Sequence, residues 1–282
     1  MRPRRPRWLR RISRTAAGRA LGLPAAASGW TAQPFRLRVT DLVLPAAGPS
    51  RGLAGLRAAF LSDLHVRHPD RGVAPRVVRL LRDLDPDLVF VGGDTHDHPR
   101  WTAAAAEHIG RYPARRGVFV VPGNHEHRRG VDLGAFGAAL AARGATLLRN
   151  ESRVLPLDDG PPVAVVGVDD PATRRHDLDA ALRGVPAGTF AILLAHAGIL
   201  FEEAEARGVP LVLTGHSHGG QVRLPLLGIP WLPRRVGPCV EDLHRRDGTT
   251  MFVTTGAGMS VLPVRYGCPP EVVRIRWEAA AE

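Results

Sequence analysis

The chain has 282 residues, 44 % of them hydrophobic, enough for one large α/β domain or two small ones around a sizeable core. It contains no lysine, which excludes Schiff-base chemistry on Lys and a P-loop lysine. The net charge of +11 is concentrated at the start: the first forty residues carry ten Arg and no acid, so the body is nearly neutral and does not read as a nucleic-acid binder.

Residues 1–34 read as a basic leader or tail. An apolar run from Ala20 to Ala27 follows the arginines, but it is short, flanked by Arg19 and interrupted by Pro24. Three roles fit this segment: an export signal, an arm touching anionic lipid head groups, or a poorly ordered tail. Membrane association or export is therefore expected, with a cytoplasmic location as the alternative. The two cysteines, Cys239 and Cys268, lie in separate loops without CxxC spacing. They read as two buried thiols, or as one disulfide if the domain is exported.

From Phe35 the chain becomes regular. Residues 35–44 alternate as an edge strand does. Then a unit recurs in which a short apolar run ends directly on polar, titratable residues. Ala58–Leu61 leads to Asp63 and His65; Leu88–Val91 leads to Gly93 and Asp94; Val118–Val121 leads to Asn124, His125 and Glu126. Ala191–Leu194 leads to His196, and Leu211–Leu213 leads to His216, Ser217 and His218. Between these runs helices are predicted over Ala74–Leu84, Trp101–Ile109, Val131–Ala142 (stopped by Gly144) and Phe201–Arg207. Further strands are predicted at Arg153–Leu157, Val163–Val168, Met251–Thr255 and Val272–Trp277. The pattern is that of an α/β protein with sheets flanked by helices.

Ligand sites of open α/β sheets form outside the carboxyl ends of the strands. Five such ends here carry metal-ligating residue types. Asp63, His65, Asp94, His196, His216 and His218 offer oxygen and imidazole donors, with neither cysteine nearby in sequence, a donor set suited to Mn, Fe or Zn. The donors outnumber the needs of one ion. Two divalent ions about 3.5–4 Å apart, sharing a carboxylate, would use them and would clamp a phosphate.

Together Asp63-x-His65, Gly93-Asp94-x-x-Asp97, Gly123-Asn124-His125-Glu126, His196 and Gly215-His216-Ser217-His218 resemble the calcineurin-like metallophosphoesterases, with all five blocks in family order. Gly219 to Pro225 and Leu262 to Glu271 are similar to the bacterial branch of YkuE-like and YaeI-like phosphodiesterases. The resemblance implies a four-layered α/β/β/α sandwich in a single domain over residues 35–282. It implies one ion on Asp63, His65, Asp94 and His218, and a second on Asp94, Asn124, His196 and His216, with Asp94 bridging. It further implies attack by a bridging hydroxide on a phosphodiester or pyrophosphate bond, with His125 as a catalytic donor rather than a ligand. Some members of the branch act on UDP-2,3-diacylglucosamine, so a phosphorylated small molecule or a lipid is the implied partner. Many members have Pro two residues after the fourth-block His; here Gly198 stands there.

Around this set, Asp97 is expected either to orient a ligand histidine or to cap the helix near Trp101, and Glu126 could do either. Arg223 and Arg128 are candidates for contact with a substrate phosphate. His68, His96, His98 and His127 are expected to lie beside the ligands without binding metal. A phosphomonoesterase or nucleotidase on the same ions, and a non-catalytic metal-held scaffold, are the alternative readings.

Overall fold

A computed structural model describes residues 36–68 and 70–279. The basic leader over residues 1–34 and the start of the domain at residue 35 lie outside these described residues.

In chain order the elements are β1 (Arg38–Ala46), β2 (Arg57–Leu61), α1 (Ala74–Leu84), β3 (Leu88–Val91), α2 (Thr102–Ile109), β4 (Gly117–Val120), α3 (Asn124–Arg128), α4 (Leu133–Ala141), β5 (Ala145–Leu147) and β6 (Glu151–Leu155). They continue with β7 (Val163–Gly167), α5 (Leu178–Leu182), β8 (Phe190–Ala197), α6 (Phe201–Ala206), β9 (Leu211–Gly215), β10 (Asp242–Arg246), β11 (Thr249–Val253) and β12 (Glu271–Ala279). Two six-stranded mixed sheets result, ordered β1-β12-β2-β3-β4-β5 and β10-β11-β9-β8-β7-β6. Strands β2 to β5 run parallel, as do β7, β8, β9 and β11, so their carboxyl ends converge at one end of the sandwich.

The continuous apolar runs have a simple cause: both faces of each central strand are covered. Phe60, Leu88, Phe90, Phe119 and Val121 of the first sheet meet Val163, Val165, Ile192, Leu194, Leu211 and Phe252 of the second between the sheets. The alternate residues Ala59, Leu61, Val89, Val91, Val118 and Val120 point outward under α1, α2 and α4. On the far side Ala164, Val166, Leu193, Val212 and Met251 pack against α5 and α6. The layers are therefore α/β/β/α. β1 sits at the sheet edge and buries Leu42, Leu44 and Ala46 while Val39 and Val43 face out, as its alternation predicts.

The helix over 74–84 has the predicted bounds; its Pro75 suits a first turn and Asp85 closes it in the left-handed region. Four elements escaped the pattern. α3 and α5 span five residues each, too short for a periodic signal. β5 has three residues, and β10 (DLHRR) is polar because it is an edge strand pairing only with β11. The Asp247-Gly248 turn, both residues at positive φ, is the local signal that announces the β10–β11 hairpin. No helix among the described residues is long and apolar enough to cross a membrane.

One buried titratable group lies in the outer core, away from the site. His108 on α2 is fully buried and its Nε2 accepts from the Tyr112 hydroxyl at 2.9 Å. Burial first, then the charge of Arg111, pushes its pKa down to about 4. In the unfolded chain it titrates near 6.5 and binds the proton earlier, so its contribution is full above that pH and is lost as pH falls toward 4, by up to about 3 kcal/mol. Urea unfolding at pH 7 and pH 4.5 should show a smaller pH-dependent loss in His108→Phe than in the parent. Equal losses in the two proteins would contradict this.

Candidate metal centre

Each candidate side chain leaves the carboxyl end of a parallel strand or the turn just beyond it. Asp63 and His65 follow β2, Asp94 and Asp97 follow β3, and Asn124 and His125 open α3 after β4. His196 lies within β8, and His216 and His218 follow β9. The loop after β2 runs against the loop after β3, with Asp63 N, His65 N and Val66 N donating to the carbonyls of Gly93, Asp94 and Thr95.

Five of these residues, Asp63, His65, Asp94, His216 and His218, have positive φ between 47° and 68°. Such conformations cost about 1–3 kcal/mol each for non-glycine residues and concentrate at functional sites. Two glycines make the crowding feasible. A Cβ on Gly123 would fall 2.3 Å from Asp94 Oδ1, and one on Gly258 would fall 2.2 Å from the Leu64 carbonyl. The backbone can thus press directly against the Asp94 carboxylate and against the loop that carries Asp63.

The donors gather into two adjoining groups, Asp63/His65/His218 and Asp94/His196/His216, each with its ligand atoms within 4.8 Å of one another. His65 Nε2 lies 3.2 Å from His218 Nε2, and His218 Nε2 lies 3.3 Å from Asp63 Oδ1. In the second group His196 Nε2 is 3.4 Å from Asp94 Oδ2 and 3.2 Å from Asn124 Oδ1. Asp94 faces both groups: Oδ1 accepts from His125 N at 2.7 Å, while Oδ2 lies 3.4 Å from His196 Nε2 and 3.9 Å from His65 Nε2.

Outer partners fix which ring nitrogen points inward. His65 Nδ1 donates to Asp97 Oδ1 (2.6 Å), His196 Nδ1 to the Gly92 carbonyl (2.8 Å), and His216 Nε2 to the Arg234 carbonyl (2.9 Å). Each points an N–H outward, which leaves the remaining nitrogen free to offer a lone pair to a metal at the centre. With its oxygen inward, the Asn124 amide joins these acceptors; turned over, its nitrogen would donate to His216 Nδ1 and His196 Nε2 instead.

None of the seven residues is more than 5 % exposed. Burial would raise both carboxyls, but the imidazoles around them outweigh it: His218 and His196 lower Asp63, and His196 holds Asp94 well down. Burial pushes His218 down to about 3. For His196 burial acts downward too, but Asp94 reverses it and raises the ring. Two carboxylates held ionised and several inward imidazole nitrogens converge in a dry space, and Asp63 Oδ1 makes no hydrogen bond. Buried carboxylates and imidazoles so arranged favour a cation among them, and the residues fit divalent metal.

At the rim, His125 Nδ1 lies 2.8 Å from Asp97 Oδ1, and His125 Nε2 lies 3.9 Å from Asp94 Oδ2. Asp97 therefore sits between His65 and His125; the cap of the turn before α2 is made by His98. Burial would raise Asp97, but His125 and His65 together hold it far below the usual carboxylate range. Arg128 lies beside the Asn124 amide. Arg223 pairs with Glu241, and its Nε donates to the Gly219 carbonyl. His96 is buried between Thr95 and Thr102, His127 pairs with Asp169, and the His68 ring accepts from Asp70 N.

Two buried charged residues support the centre, of which Arg265 was not foreseen. Glu126 is fully buried and accepts from Thr95 N, Thr95 Oγ1 and Gly123 N, which ties the loop after β3 to the start of α3. Arg265 is fully buried and donates to the carbonyls of Thr255, Gly256 and Gly258, and that loop in turn donates from Gly258 N to the Asp63 carbonyl. A charged residue in an otherwise apolar Pro/Gly-rich stretch was the available signal for Arg265. Cys239 and Cys268 are free thiols; the Cys268 thiol donates to the His218 carbonyl.

With this geometry in view, residues 56–220 match the sequence family described as calcineurin-like phosphoesterase. The uncharacterized metallophosphoesterase YkuE of Bacillus subtilis is 27 % identical over 244 residues, covering 85 % of each chain. The phosphodiesterase YaeI of Escherichia coli is 28 % identical over 227 residues, 79 % of this chain and 82 % of the relative. A transmembrane protein with a metallophosphoesterase domain from Danio rerio is 29 % identical over 252 residues, 84 % of this chain and 56 % of that longer relative.

Proposed function

Since this chain belongs to the calcineurin-like phosphoesterases, a family of metallophosphoesterase hydrolases, we propose that it uses two divalent ions to hydrolyse a phosphodiester or pyrophosphate bond. The observation that carries this reading is Asp94 Oδ2, which faces both donor groups at once. Asp63, His65 and His218 would hold one ion, Asn124, His196 and His216 the other, and Asp94 both. The donor set is nitrogen and oxygen only, which suits Mn, Fe or Zn.

When bound, the ions supply Lewis acidity toward phosphoryl oxygens and lower the pKa of water. The chain's own groups do the rest. Asp97 and the Gly92 and Arg234 carbonyls hold three imidazoles in the tautomer that binds metal. His125, at the rim and partly exposed, is placed to donate to a phosphate oxygen and to protonate the leaving oxygen. Arg128 beside Asn124 can add charge to the substrate side, whereas Arg223 is engaged by Glu241. YaeI is described as a phosphodiesterase, which favours a diester over a monoester here, and a lipid-linked diphosphate of the UDP-2,3-diacylglucosamine type is the finer candidate.

The test compares bis-p-nitrophenyl phosphate with p-nitrophenyl phosphate as substrates. Diester turnover should exceed monoester turnover, vanish on chelation, and return with Mn, Fe or Zn. Diester hydrolysis that persists after complete metal removal would overturn the metal mechanism. A preference for the monoester would move the assignment to a phosphatase.

A further inference from the structure

Two apolar tips flank the mouth of the metal centre and fit no folding role. The first is a tight hairpin at residues 224–228, closed by Leu224 and Gly228 exchanging backbone hydrogen bonds. At its tip Leu226 is 106 % exposed and Leu227 72 %, with Trp231 just beyond at 56 %. The second tip is Val261, 73 % exposed. Leu226 and Val261 both hold positive φ, at 65° and 57°. That backbone suits Gly or Asn, and for a β-branched residue it is an outlier. Strained backbone carrying fully hydrated aliphatic side chains is costly in the isolated protein, so a partner is expected to take them up.

Both tips are tied to the reactive end. Ile229 packs over Gly220, and the Arg234 carbonyl accepts from His216. Ser260 Oγ lies 3.5 Å from His125 Nε2. The Gln221 side chain joins the two loops, donating to the Ser260 and Leu262 carbonyls and accepting from Ser260 N.

The chemistry around the tips selects the partner. No carboxylate occurs from Gly219 to Val240 or from Gly256 to Pro270, while Arg234 and Arg235 follow Trp231 and form no ion pair with any described carboxylate. Protruding aliphatic side chains, a neighbouring Trp and adjacent cations without acids match a bilayer interface: hydrocarbon for the tips, the head-group zone for Trp, phosphates for Arg. A protein groove would be met by a broader face with mixed charge.

We propose that residues 224–228, Trp231 and Val261 dock the protein on an anionic lipid bilayer and seat the mouth of the metal centre against the head groups. This surface is distinct from the arginine-rich first forty residues and goes beyond the hydrolytic reading. It stands or falls independently of which bond is cut.

The test uses the full chain with vesicles of phosphatidylcholine alone or mixed with phosphatidylglycerol. The parent should co-sediment with the mixed vesicles, and brominated lipid should quench Trp fluorescence in the parent but much less in Trp231→Phe. The triple variant Leu226→Ser, Leu227→Ser, Trp231→Ser should bind at least about tenfold more weakly, since burial of one such side chain is worth that factor. It should still hydrolyse a soluble diester at the parental rate. Arg234→Gln with Arg235→Gln should weaken binding to the mixed vesicles only. Undiminished vesicle affinity in the triple variant would overturn the proposal, as would a parental dimer that the triple variant abolishes without any vesicle binding. Absence of diester hydrolysis by the metal-loaded parent, with its vesicle binding intact, would leave docking standing and refute the enzymatic reading.

Discussion

Asp94→Ala is expected to release both ions and to lower diester hydrolysis by on the order of a thousandfold or more. Among the candidate ligands it alone faces both donor groups, with Oδ2 3.4 Å from His196 and 3.9 Å from His65, and its other oxygen is anchored by the His125 backbone at 2.7 Å. Removing it takes a negative charge from between two groups of imidazoles, so both sites lose charge balance together. Loss of Asn124 or His218 would strip donors from one group only. Metal content by mass spectrometry, read beside turnover, checks the claim. Two ions per chain and a rate within tenfold of the parent would refute it.

His125→Ala is expected to keep both ions and lose about 10²–10⁴ in rate with an alkyl leaving group, the range of a positioned general acid. The ring lies at the rim, 2.8 Å from Asp97 and 3.9 Å from Asp94 Oδ2, and its own backbone N–H supports the Asp94 carboxylate whatever its side chain. The alanine variant therefore preserves the cage. With p-nitrophenolate as leaving group, protonation matters little, so the loss should shrink. An equal loss with both leaving groups would assign His125 to phosphate binding instead of proton donation. Loss of metal in the variant would place it among the ligands.

These expectations were largely legible in one dimension, for physical reasons. A strand covered on both faces is apolar at every position, so β2, β3, β4, β8 and β9 show as short apolar runs, and the polar residue after each run marks a carboxyl end. Asp63, Asp94, Asn124, His196 and His216 could be singled out because each sits at that local boundary. The helix over 74–84 was equally visible, since its buried Val77, Val78 and Leu81 recur at helical spacing. Local order of this kind is encoded by neighbours along the chain.

What remained hidden depends on partners far apart in sequence. Whether Asp97 caps a helix or holds His65 is settled by a contact across 32 residues. That Arg223 pairs with Glu241, 18 residues on, is likewise seen only in the fold. Arg265 braces the centre through backbone groups of another loop, and Glu126 reaches Thr95 across 31 residues, contacts which no spacing announces. The left-handed conformations of five site residues and the exposed tips at Leu226 and Val261 also emerged only in three dimensions. Sequence alone determined the donor types and the strand ends that carry them, because composition and periodicity are local. Tertiary structure decided which donors face one another, which nitrogen each ring turns inward and what surrounds the mouth, because those depend on packing two sheets together.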